Sequence, residues 1–121
     1  MPKITVEYTS NLTSNNAFEP KEFLQAINQT VGKISAFDPA SIKTVAHCNT
    51  EYAIGIEPGN FASIDIRIEI LDGRSQEVKI QTVLSVVEVI KEKVKKLPGF
   101  NIQYSVDLGE MERSTFIKAD L

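Results

Sequence analysis

The sequence predicts an α+β domain of two layers, a four-stranded sheet with two helices on one face. Three observations predict it. Apolar and polar residues alternate strictly around Ile4–Tyr8, Ile64–Ile70 and Ile102–Leu108, the period of half-buried strands. Two other stretches repeat apolar residues at three- and four-residue steps, the period of helices with one buried stripe. The elements then follow one another as β-α-β twice, over about residues 2–48 and 61–108, within one domain spanning 1–121. Strands and helices that are each apolar on one side bury those sides against one another, which gives two layers.

In the first half, Ile4, Val6 and Tyr8 alternate with Lys3, Thr5 and Glu7. The polar run "TSNLTSNNA" reads as a connection, and Pro20 marks a helix start, where its missing N–H has no acceptor to lose. Phe23, Leu24, Ile27, Val31 and Ile34 form the apolar stripe of that helix. Asp38-Pro39 ends the pattern, and "SIKTVAHC" reads as a short second strand.

In the second half, Ile64, Ile66, Ile68 and Ile70 alternate with Asp65, Arg67 and Glu69, so one face of the strand is apolar and the other charged. The charged face either meets solvent or lines a polar channel where sheets of several subunits meet. "LDGRS" makes the turn, with Ser75 as helix N-cap. Ile80, Val83, Leu84, Val87, Ile90, Val94 and Leu97 are the expected stripe of the longest helix. Lys91, Lys93, Lys95 and Lys96 complement the dipole at its end, and Pro98-Gly99 stops it. Ile102, Tyr104, Val106 and Leu108 mark the fourth strand, after which residues 109–121 form a tail with no period.

Composition narrows the function. A net charge of −3 provides no basic footprint for a phosphate backbone, so nucleic acid is not an expected partner. No apolar run approaches the roughly 20 residues a bilayer requires, and no basic segment precedes an apolar core at the N-terminus; a cytoplasmic protein is expected. The single Cys48 has no disulfide or zinc partner and is expected to be a small packing residue. His47, without a carboxylate motif beside it, reads as packed or solvated rather than catalytic.

The segments "MPKITVEYTSNL", "SIKTVAH" and "NFASIDIRIEILDGRS", in this order and spacing, together with the length of the last helix and strand, give a resemblance over nearly the whole chain. The chain resembles the 5-carboxymethyl-2-hydroxymuconate isomerases of the tautomerase superfamily, relatives of macrophage migration inhibitory factor. The resemblance implies a homotrimer of duplicated β-α-β units, sites near subunit boundaries, and no metal or organic cofactor. It also implies that the first strands of the two halves lie antiparallel in mid-sheet.

The family's base is an N-terminal proline exposed by removal of methionine, and it maps onto Pro2. The chemistry agrees, because a terminal proline is a secondary amine with a free lone pair whereas an internal backbone nitrogen is an amide, and the ring fixes φ. An α-amino group has a pKa of roughly 7.7–8, which burial and nearby cations lower toward neutrality. Arg74 matches the family's arginine in the turn after the first strand of the second half, where a guanidinium offers two parallel bonds to a carboxylate and the next helix start adds positive potential. Lys43 stands where the family usually has another arginine; it keeps the charge and loses the planar fork. Phe61 and the loop "AIGIEPGN" are candidates for an apolar wall beside the amine. The implied reaction is keto–enol isomerisation of an unsaturated 2-hydroxy or 2-oxo dicarboxylate in the breakdown of aromatic compounds. The rival is a non-catalytic ferredoxin-like ligand-binding or assembly module, which shares the β-α-β-β-α-β order. In that fold the first and third strands run parallel, placing Pro2 and Arg74 at opposite ends of the sheet.

Overall fold

The computed structural model describes residues 1–121. Its strands are β1 (Lys3–Thr9), β2 (Lys43–Asn49), β3 (Phe61–Leu71) and β4 (Asn101–Met111), in spatial order β2-β1-β3-β4. β1 is parallel to β2, antiparallel to β3, and β3 is parallel to β4. The antiparallel β1–β3 pair, with Lys3 opposite Glu69 and Tyr8 opposite Ile64, excludes the ferredoxin-like arrangement.

One sheet face carries Ile4, Val6, Ala62, Ile64, Ile66, Ile68 and Ile70, all essentially inaccessible to solvent. Complete burial of each isoleucine contributes roughly 1.5–3 kcal/mol before the entropy of ordering is counted. The helices α2 (Pro20–Val31) and α3 (Gln76–Lys93) cover this face, α2 through Phe23, Ile27 and Val31. A third helix, α1 (Ser10–Ser14), lies in the run expected to be only a connection. Its polar residues hide one anchor, Leu12, which is wholly buried.

The phase of α3 differs from the expected stripe. Thr82, Val86, Val89 and Ile90 face the core, whereas Ile80 and Leu84 are about half exposed. Apolar residues occur on more than one side of this valine-rich helix, so spacing alone selects the side with the larger side chains. Thr82 is buried at low cost because its hydroxyl donates to the Val78 carbonyl at 2.7 Å.

Ser75 caps α3 as expected, its hydroxyl accepting from the Val78 N–H at 3.2 Å. Ser75→Ala is expected to cost about 1 kcal/mol, read as a lower urea midpoint with an unchanged slope.

The opposite face of the sheet is polar and open in the protomer. Arg67 pairs there with Asp107, and the Ser105 hydroxyl donates to Asp65 at 2.6 Å. Cys48 is exposed rather than packed, because β2 is an edge strand with few neighbours on its outer side. It sits in register with Tyr8, whose phenol is pushed above its ordinary pKa by burial and then by the hydrogen bond with Cys48.

Candidate active site

The strand directions decide what meets at the amine end. β1 and β2 both start there, β3 and β4 both finish there, and the β3–α3 turn projects beyond β3. Pro2, Lys43 and Arg74 therefore share one end of the sheet. Pro2 is buried, and its carbonyl accepts from the Lys43 N–H at 3.1 Å, which ties the starts of the two strands together.

Met1 supplies the terminal amine in this structure, and its ammonium donates to the Ser41 carbonyl at 3.0 Å. Burial holds this amine below its ordinary value near 8, and the charges of Lys118 and Lys43 act in the same direction. Asp38 opposes them without reversing the sign. A 3-10 turn, Pro39–Ser41, presents the Ser41 carbonyl, and the Asp38 carboxylate caps that turn by accepting from the Ala40 N–H at 3.1 Å.

Arg74 lies in the turn between Leu71 and the N-cap Ser75, next to the positive end of α3. Gly73 has φ +98°, a left-handed conformation that suits glycine and lets the chain reverse within a few residues. The Arg74 guanidinium rests over the ring of the buried Phe37, 5.8 Å from its centroid, in cation–π range. Phe37 immediately precedes Asp38, so the loop that flanks the amine also supports the arginine.

Phe61 is not part of this assembly within the protomer. It begins β3, and because β3 runs against β1, the start of β3 meets the far end of β1. Its carbonyl accepts from Asn11 Nδ2 at 2.8 Å, and its ring packs close against Gly59. The loop of residues 52–59 bounds a separate cavity of about 340 Å³ there. His47 is exposed on the open face, in register with Glu7.

Sequence reasoning missed Arg113 and Lys118, both in the tail without a period. Arg113 Nε donates to the Asp72 carbonyl at 2.9 Å and faces the Asp72 carboxylate at 3.5 Å. The tail carries two basic residues, Arg113 and Lys118, among the acidic Glu110, Glu112 and Asp120, so spacing offered no guide to where they fold.

The amine end is a cation-rich ledge and not an enclosed pocket in the protomer; none of the five principal cavities is lined by Pro2, Lys43 or Arg74. No group of three or more His, Cys, Asp or Glu side chains gathers in a metal-binding arrangement, and no helix is long and apolar enough to cross a membrane.

A β2-β1-β3-β4 sheet with helices on one face, in two β-α-β units joined antiparallel, is the fold of tautomerase-superfamily proteins. The chain belongs to the 5-carboxymethyl-2-hydroxymuconate isomerase family, whose model matches residues 2–120. Among solved structures it is similar to a 5-carboxymethyl-2-hydroxymuconate isomerase from Deinococcus radiodurans R1, with 24% identity and TM-score 0.75 over 99% of this chain and 90% of that one. A 5-carboxymethyl-2-hydroxymuconate delta-isomerase is similar at 12% identity and TM-score 0.71, covering 100% of this chain and 88% of that one. A macrophage migration inhibitory factor-like protein from Entamoeba histolytica is similar at 14% identity and TM-score 0.64, covering 98% and 95%. No curated protein matches the sequence.

Proposed function

We propose that the protein is a proton-moving isomerase of an unsaturated 2-hydroxy or 2-oxo dicarboxylate of the 5-carboxymethyl-2-hydroxymuconate kind, with Pro2 as general base once Met1 is removed. The observation that carries this reading is the convergence of Pro2, Lys43 and Arg74 at one end of the sheet, where burial and cations hold the neighbouring Met1 amine below its ordinary pKa. Family membership supports the reaction class.

The Pro2 nitrogen takes the proton of the 2-hydroxyl, whose O–H electrons form the carbonyl as the conjugated double bonds shift. The resulting prolinium returns the proton to a carbon of the chain, so atoms and charge balance with no other reactant. Arg74 and Lys43 hold carboxylates and stabilise negative charge on the dienolate. The pKa of the base needs to lie near the working pH for both transfers, which a lowered amine pKa provides.

Lys43 sets the substrate limit. A lysine neutralises a carboxylate as a point charge, so a related keto-acid competes better here than at a site with two arginine forks. Lys43→Gln is expected to raise KM for the dicarboxylate about 3–10-fold. Removing this cation stabilises the protonated amine, so the acid limb of the kcat/KM profile moves to higher pH. An unmoved limb with an unchanged KM takes Lys43 out of the site.

The working form is proposed to be a homotrimer in the cytoplasm, acting in the breakdown of aromatic compounds. Two symmetric trimers of fused 4-OT share the fold, at TM-scores of 0.71 and 0.68. The open ledge at Pro2, the unpaired edges of β2 and β4, and a groove of about 380 Å³ between α3 and β4, lined by apolar and charged residues, support assembly. A single exposed thiol suits a reducing compartment. The reading is tested by the ultraviolet change of a 2-hydroxymuconate-type dienol; sedimentation on dilution shows whether turnover is lost together with the trimer.

A further inference from the structure

We propose that Arg113 is a positioning residue for the anion site, holding the Asp72–Gly73–Arg74 turn so that the Arg74 guanidinium faces the amine end. The inference rests on the proposed role of Arg74 and deepens it.

The turn leaves the sheet with one backbone tie, the Asp72 N–H donating to the Met111 carbonyl at 2.9 Å. Gly73 follows in the left-handed region, where glycine has the widest conformational freedom, so a single tie leaves the direction of Arg74 loosely set. Arg113 supplies the second tie: Nε donates to the Asp72 carbonyl at 2.9 Å and lies 3.5 Å from the carboxylate of the same residue. It also packs against the turn, since a Cβ added at Gly73 would stand 3.8 Å from Arg113 Nε.

On its other side, Arg74 rests on Phe37. The arginine is thus held between a clamped turn and an aromatic ring, leaving its fork to a ligand. The ion pair itself is half exposed and contributes little to global stability. Its effect is on geometry, where a displacement of about 1 Å is enough to cost up to 10²-fold.

The tail that carries Arg113 also carries Lys118, whose charge lowers the pKa of the Met1 amine.

The test is a double-mutant cycle read by calorimetric titration with trans,trans-muconate, a conjugated dicarboxylate that lacks the 2-hydroxyl and does not turn over. Wild type, Arg113→Ala, Arg74→Ala and the double variant are compared, with thermal melts to establish that each is folded and with Arg113→Lys run through the same cycle. Arg113→Ala is expected to weaken binding about 5–10-fold. Arg113→Lys restores part of the loss, and the double variant binds no more weakly than Arg74→Ala alone, because a residue acting through Arg74 has nothing left to position. Additive losses, wild-type affinity in Arg113→Ala, or no muconate binding by wild type overturns the proposal. Failure of the catalytic reading looks different: muconate binds with the non-additive cycle, yet processed wild type leaves the dienol unchanged.

Discussion

Pro2→Ala, with Met1 removed, is expected to lower kcat for a 2-hydroxymuconate-type dienol about 10²-fold while changing KM far less. Alanine still ends in an amine of ordinary basicity, so the substitution does not delete a base. It removes the ring that fixes φ and adds N–H donors that compete for the Ser41 carbonyl, which already accepts from the terminal ammonium in this structure. The lone pair then spends less time aimed at the substrate. Binding is spared because the cations that hold carboxylates, Arg74 and Lys43, are untouched. Stopped-flow or steady-state ultraviolet kinetics separate the two parameters. A loss confined to KM contradicts a role in proton transfer and assigns Pro2 to binding.

Arg74→Ala is expected to lower kcat/KM about 10²-fold or more, with KM rising as well as kcat falling. Two interactions disappear together: the bidentate hold on a carboxylate, and positive potential where the dienolate develops. Arg74→Lys recovers the charge without the fork, so it is expected to recover kcat better than KM. The variant remains folded, because Arg74 contributes a cation–π contact at the edge of the core and no buried ion pair. A change below about threefold in kcat/KM contradicts the placement of Arg74 in the site.

The strands were the most legible part of the fold. Each writes its buried face as a period of two, and Ile64–Ile70 does so without interruption, which is the face that the structure buries completely. The helix α3 was legible in extent and cap but not in phase, because Val83 and Val87 fit one stripe while Val86 and Val89 fit another. Only the tertiary contacts select between them. Leu12 shows the same limit from the other side: a single apolar anchor in a polar run has no period to detect, although it organises α1.

At the candidate site, Pro2, Lys43 and Arg74 were singled out through the family resemblance, because the β-α-β-β-α-β order alone fits a ferredoxin-like sheet as well, and it is the antiparallel β1–β3 pair that brings their positions to one end of the sheet. The same pairing sends Phe61 to the far end of the sheet, so its proposed place beside the amine requires a neighbouring subunit. The tail was illegible. Its contribution depends on Arg113 meeting Asp72, 41 residues earlier in sequence, and no local pattern encodes a contact of that separation.

The proposed base is the amine of Pro2. It is tested most directly by preparing the protein with defined fractions of Met1 retained, measured by intact mass, and following dienol isomerisation in each. A retained methionine turns the Pro2 nitrogen into an amide with no basic lone pair, so the rate is predicted to fall in proportion to the retained fraction and to approach zero in fully unprocessed protein. Full activity with Met1 in place would contradict the account.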